Sequence, residues 1–146
     1  MKAIRFLTFP MHLKNGGLVT LRAVLVKIPK NNLLWRILYH DGVGVAPNGM
    51  TMDAFEAAIR ASPDGYRATW DELVVLSAGL EQTWDCLIVG SPPDIPIEAA
   101  TVEAAGFPGC EFVIEAFDSS TWTIGATDDG VCDVLAATHW TDVAEA

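Results

Sequence analysis

Residues 110–126, CEFVIEAFDSSTWTIGA, carry the pattern of a β-hairpin. From Phe112 onward every second residue is apolar, while Glu111 and Glu115 fall on the opposite face of the same run. This alternation has the period of two that is typical of a strand with one half-exposed face. The Asp-Ser-Ser triplet that follows supplies turn residues before a second β-prone run. The sequence therefore predicts strands at 110–117 and 121–126.

The segments upstream of the hairpin contain three further β-prone runs. Residues 84–90 (WDCLIVG) form a continuous apolar run that ends before two prolines, which is typical of a buried strand. Residues 33–40 are apolar on both faces of a strand, and residues 2–9 form a short run closed by Pro10. We expect a loop from Asp41 onward.

Helices are predicted where a capping residue precedes an apolar stripe. Thr51 and Thr69 stand before two such stripes, and Asp128 or Asp129 stands before a third that follows the hairpin. Leucines recur at helical spacing in residues 18–28, although β-branched neighbours leave a strand as an alternative. Residues 95–106 are weakly helical.

These elements predict a single α+β domain that spans residues 1–146. Its architecture is a mixed sheet of about five strands with helices packed on it, and the C-terminal β-hairpin is followed by a helix. The chain is 51% hydrophobic, so it can form a real core. Of its five tryptophans, Trp122 and Trp140 are the ones expected at the surface.

Cysteine content and hydropathy indicate the compartment. The three cysteines are odd in number and widely spaced, which favours buried, reduced thiols over a disulfide framework. No apolar run is long enough for a membrane-spanning helix, and the first ten residues do not have the pattern of a signal peptide. The sequence thus predicts a cytoplasmic protein without membrane contact.

Charge is segregated along the chain. Residues 1–40 contain seven Lys or Arg residues and no Asp or Glu. All 19 acidic residues lie beyond residue 40, accompanied only by Arg60 and Arg67. Such a distribution repels phosphate backbones and attracts positive surfaces, so nucleic acid is excluded and a basic protein partner is favoured. The competing interpretation is a solvated surface that keeps the protein in solution.

Motifs for catalysis or cofactor binding are incomplete. Asp128-Asp129-Gly130 lacks the ligand spacing and the bidentate Glu of a calcium loop. Gly42-Val43-Gly44 lacks a third glycine and a following helix, which a dinucleotide loop requires. Cysteines and histidines are not spaced as zinc ligands, and the acidic C-terminal half would not activate a thiol. No cofactor or metal is expected.

The order of features across Trp84–Leu135 resembles that of small acidic bacterial proteins in uncharacterised, immunity-protein-like families. The shared features are a buried strand ending in proline, a short acidic segment, the run from Gly109 to Asp118, the Trp122-Thr123-Ile124 strand and a helix after an acidic turn. The Trp35-Arg36-Ile37 strand also fits. The resemblance implies a similar fold and supplies no active site to carry over.

The first functional interpretation is a non-enzymatic binding protein. Its acidic C-terminal half docks on a basic protein partner, as an immunity-type inhibitor would. The expected contact residues are the carboxylates of the hairpin and of the following turn and helix: Glu111, Glu115, Asp118, Asp128, Asp129 and Asp133.

Two alternatives remain open from the sequence. One is a small enzyme or ligand-binding domain with a pocket between sheet and helices, for which His40, Asp41 and His139 are the available acid–base set. The other is a homo-oligomeric structural protein built on surplus apolar surface.

Overall fold

The computed structural model describes residues 2–140, which form one six-stranded antiparallel sheet with four α-helices packed on it. The strand order is β1-β6-β5-β4-β2-β3. The strands are β1 Arg5–Pro10, β2 Leu34–Gly44, β3 Tyr66–Ala68, β4 Leu80–Ser91, β5 Phe112–Phe117 and β6 Thr121–Ala126. The helices are α1 Leu21–Leu25, α2 Met52–Arg60, α3 Trp70–Ser77 and α4 Asp129–Ala137, with a short 3-10 turn at Pro47–Gly49.

The structure confirms the α+β class and the C-terminal hairpin followed by a helix, and it corrects the sheet in two respects. There are six strands, not about five, because β3 has only three residues and is too short to show a period. Every pairing is antiparallel, so the sheet is not mixed. Parallel neighbours need a crossover connection, whereas each strand here runs in the direction opposite to its neighbours. Met1 and residues 141–146 of the predicted 1–146 domain lie outside the described range.

Local capping chemistry fixes three helix starts where the sequence predicts them. The side chains of Thr51, Thr69 and Asp128 accept hydrogen bonds from backbone N–H groups in the first turns of α2, α3 and α4. Thr69 forms a full capping box with Glu72. By contrast, residues 95–106 form turns, not a helix, and β2 continues through the predicted loop to Gly44.

The helices cover one side of the sheet, here called the front face, and the main core lies between them. Trp35, Ile88 and Ile114 point into this core from neighbouring strands. Trp122 and Trp140, expected at the surface, are buried. The indole Nε1 of Trp122 donates to the Val19 carbonyl at 2.8 Å, and the Trp140 ring stacks on Phe9 with centroids 4.2 Å apart. In the described residues, no helix has the length and apolar character needed to cross a membrane.

The opposite side, the back face, is only partly covered. Residues 92–109, here called the strap, run across it between β4 and β5. Ile97 and Val102 of the strap pack with Leu87, Val89 and Val113 in a second, smaller core. Beyond the strap the back face carries polar residues, and this uncovered area holds the candidate site.

Candidate functional site: an acidic face around Tyr39

The site begins with a row of side chains that crosses three strands of the back face. Tyr39 on β2 is paired in register with Leu87 on β4, and Leu87 is paired with Glu115 on β5. An irregularity at Leu38 places both Leu38 and Tyr39 toward this face. Tyr39 and Glu115 influence one another across the row: Tyr39 acts to lower the pKa of Glu115, and the charge of Glu115 acts to raise the pKa of Tyr39.

Four further carboxylates adjoin this row. Asp41 lies directly opposite Asp85 on the neighbouring strand. Asp85 reaches the hairpin turn, where its Oδ1 accepts a hydrogen bond from the backbone N–H of Asp118 at 2.8 Å. Asp118 has a φ of 48°, a left-handed conformation in which an Asp is tolerated. Glu103 of the strap lies close enough to Glu115 for its charge to raise the pKa of that carboxyl.

We call Tyr39, Asp41, Asp85, Glu103, Glu115 and Asp118 the acidic face. Burial, followed by the charge of Glu103, raises the pKa of Glu115 above its usual value. Burial, followed by the charges of Glu115 and Glu103, raises the pKa of Tyr39. Both shifts have the direction expected of a surface where negative charge is crowded and partly removed from water.

No lysine or arginine within the described residues neutralises this face. The ion pairs of residues 2–140 involve Glu56, Asp64, Asp71, Asp129 and Asp133, and none involves a carboxylate of the acidic face. Arg36, three residues before Tyr39 on β2, and Arg67, opposite Arg36 on β3, form no ion pair with these carboxylates. The negative charge is therefore available to a partner.

The six predicted contact residues fall in different places. Glu115 and Asp118 belong to the acidic face. Glu111 precedes β5 at the opposite end of the hairpin, and a six-residue strand separates it from Asp118 by about 20 Å. The other three lie at α4, which packs against the front face.

The carboxylates at α4 already have contacts within the chain. Asp128 caps the helix by accepting from the Val131 N–H at 3.0 Å. Asp129 pairs with Lys2 at 3.5 Å and with Arg5 at 3.2 Å, and the Arg5 guanidinium lowers the pKa of that carboxyl. Asp133 lies 3.8 Å from Arg5. The basic N-terminal segment thus reduces the negative charge here, because β1 lies beside β6.

Sequence reasoning missed the contributions of Asp85 and Glu103 to the site and assigned Asp41 to a different role. Counting back by two from buried Leu87 places Asp85 on the back face, so the period of strand β4 contained that signal. Glu103 had no local signal, because only the path of the strap brings it over β5.

The acid–base set of the enzyme interpretation does not come together. His40 lies on the front face, where its Nδ1 is 2.9 Å from Glu56 Oε2 and its side chain is only 1% exposed. Asp41 belongs to the back face. His139 is exposed beyond α4, which packs on β1 and β6 near the opposite edge of the sheet from β2.

His40 does have a thiol neighbour, Cys86, directly opposite on β4. Together with Glu56 this gives the residue types of a thiol nucleophile, its base and an orienting acid. Cys86 is fully buried, however, and burial raises the pKa of its thiol to about 12. A nucleophilic cysteine needs the opposite shift and access to substrate. We therefore interpret the three residues as a buried packing unit.

A concavity of about 460 Å³ lies elsewhere, between the 3-10 turn and α3. Its lining includes Val45, Tyr66, Arg67 and Val75, and it contains none of His40, Glu56 or Cys86. Within residues 2–140, no three His, Cys, Asp or Glu side chains are grouped so that they could hold a metal ion. The acidic face, by contrast, brings several exposed or half-buried carboxylates together.

Comparison with protein-family models, with curated proteins and with solved structures finds no match for this chain. The resemblance to immunity-protein-like families therefore stays a prediction, and the function has to be argued from the site itself.

Proposed function

We propose that the protein is a non-enzymatic binding module whose acidic face docks on a basic protein partner, as an immunity-type inhibitor would. The observation that carries this proposal is the grouping of five carboxylates around Tyr39 without any lysine or arginine within 4.0 Å among the described residues. The proposed binding surface differs from the one predicted from the sequence. It lies on the back face, keeps Glu115 and Asp118, adds Asp41, Asp85 and Glu103, and leaves out Glu111 and the carboxylates at α4.

The pairing of Asp41 with Asp85 supports a binding role over a structural one. Two like charges directly opposite on adjacent strands destabilise the sheet. A row of alternating charges would serve folding and solubility better. An incoming Lys or Arg would offset this repulsion, so the face is electrostatically complementary to a basic surface.

Aromatic rings give the face an apolar component. Tyr39, at the centre of the acidic face, is 39% exposed, and Phe117 is 61% exposed. Strand alternation places Phe117 on the same side of β5 as Glu115. Arginine binds favourably to carboxylates and also stacks on aromatic rings. The face therefore suits an arginine-containing surface of the partner.

The test measures binding of a labelled oligoarginine peptide by fluorescence anisotropy across a salt series. Binding is expected to weaken as salt rises, because charges are screened over about 8 Å at physiological ionic strength. Asp41→Asn combined with Asp118→Asn is expected to weaken binding about threefold to tenfold at low salt, since each exposed pair contributes up to about 1 kcal/mol. Asparagine keeps the left-handed backbone at residue 118 accessible.

The matched control is Asp129→Asn combined with Asp133→Asn, which removes the same charge near Arg5. This control is expected to bind the peptide as the unaltered protein does. An equal loss in both double variants would mean that only net charge matters, and docking at the acidic face would be wrong. A pull-down from the source cells with the same variants then identifies the natural partner. Recovery of further copies of this chain alone would favour the oligomer.

A further inference from the structure

One arginine on the back face is buried without a counter-ion. Arg36 of β2 is only 3% exposed. Its Nη1 donates to Ser91 Oγ at 3.0 Å, and this is the one hydrogen bond of its guanidinium within the described residues. Its Nε is buried and has no hydrogen-bond partner among them. Buried arginines are otherwise found paired, because the desolvation of an unpaired charge is costly.

A second arginine stands beside it. Arg67 of β3 lies directly opposite Arg36, so two positive charges occupy a cross-strand pair. Asp64 contacts Arg67 at 3.9 Å across an exposed pair, and no carboxylate oxygen of the described residues lies within 4.0 Å of the Arg36 guanidinium. Burial and then the charge of Arg67 lower the pKa of Arg36.

The end of β4 and the turn before β3 enclose the Arg36 side chain. Ser91 is fully buried at the end of β4, where its hydroxyl also contacts the Pro92 carbonyl at 3.3 Å. Gly65 lies over the Arg36 stem, and a Cβ there would be 3.0 Å from Arg36 Cβ, so the backbone closes tightly around it. Leu38, which packs with the strap, stands on β2 between Arg36 and the acidic face.

We propose that Arg36, Arg67 and Ser91 form a binding site for the oxyanion group, carboxylate or phosphate, of a small ligand. The planar guanidinium fork matches such groups, and charge-assisted hydrogen bonds are the strong ones. The ligand would neutralise Arg36, which has no carboxylate of the described residues within 4.0 Å, and would add a second partner for Arg67 beside Asp64. This site is separate from the acidic face and of opposite sign, so it does not depend on the proposed docking function.

The experiment titrates the ¹⁵N-labelled protein with inorganic phosphate and, separately, with sodium acetate, at ionic strength matched with sodium chloride. Saturable shifts of the Arg36 side-chain Nε–H and of the Ser91 amide are expected with at least one of the two anions. Tighter binding of phosphate would assign a phosphorylated ligand, and tighter binding of acetate a carboxylate ligand. Arg36→Gln is expected to weaken anion binding about tenfold or more, because charge-assisted hydrogen bonds are lost.

Arg60→Gln is the matched control, because Arg60 is exposed on α2 and has no ion pair within the described residues. It is expected to bind the anion as the unaltered protein does. Arg67→Gln, at an exposed position, gives an independent test if Arg36→Gln does not fold, and it is also expected to weaken binding. The proposed site would be wrong if neither anion gave saturable shifts that sodium chloride does not give. It would also be wrong if the Arg36→Gln or Arg67→Gln variant bound the anion as tightly as the unaltered protein.

Discussion

Glu115 combines two properties at the scale of a single residue: it stands at the centre of the acidic face, and its charge is poorly accommodated there. Its folded pKa is raised above the unfolded value by burial and by Glu103. The unfolded chain therefore releases this proton at a lower pH than the folded one. Glu115 contributes stability when protonated, below about pH 4.5, and that contribution is lost as pH rises through the folded pKa.

Glu115→Gln is accordingly expected to be more stable than the unaltered protein at pH 7, with the difference disappearing below pH 4.5. Glutamine keeps an oxygen that can accept from Tyr39 but carries no charge beside Glu103. Urea denaturation at a series of pH values measures the difference. Glu111→Gln is the same substitution outside the acidic face and serves as the control. A Glu115→Gln variant that is less stable than the control at pH 7 would contradict the assignment.

The three cysteines allow a second prediction at this scale. Cys86, Cys110 and Cys132 are buried and free of disulfides. Burial raises the pKa of Cys86 to about 12 and of Cys110 to about 11, and it raises that of Cys132 as well. Because the thiolate is the reactive form, a thiol reagent at pH 8 is expected to modify the native protein slowly. Denaturant is expected to release three reactive thiols, and a lower count without reductant would indicate a disulfide.

At the scale of an element, helix α4 contains two aspartates with different roles: Asp128 caps the helix, and Asp133 is exposed to solvent. Asp128→Ala removes the N-cap and is expected to lower the free energy of unfolding by about 1 kcal/mol. Asp133→Ala, an exposed position later in the same helix, is expected to change it by less than about 0.5 kcal/mol. Chemical denaturation of both variants provides the measurement. Equal effects would mean that the cap does not stabilise α4.

The sequence predicted those elements whose signals are local. Thr51, Thr69 and Asp128 mark helix starts because a capping side chain acts within three residues of itself. The hairpin was predicted because alternation and turn chemistry agree. Strand β3 and the continuation of β2 past Asp41 were missed because pairing with a neighbouring strand, not composition, forms them. The weak helix predicted at residues 95–106 of the strap is wrong, because the prolines and glycines of this segment favour turns.

The candidate site depends on the arrangement of the whole molecule, and sequence reasoning found only part of it. Charge segregation along the chain is visible in the sequence, but folding rearranges it. Strand β1 brings Lys2 and Arg5 to Asp129, whereas Asp41 joins Asp85 from a distant segment. Neither contact leaves a local pattern, because both arise from strand order. Glu115 and Asp118 were identified because the hairpin itself exposes them.

The pairing of β1 with β6 also governs how the chain is made. Residues 5–10 are synthesised before their partners, residues 121–126, which emerge more than a hundred residues later. Until then the first strand has no partner at the sheet edge, and folding rates fall as such distant contacts accumulate. The nascent chain therefore carries an unpaired strand with a basic residue, Arg5, until β6 has been made. Strand β1 can pair only after residue 126 has emerged, and the ion pair between Arg5 and Asp129 then joins β1 to α4.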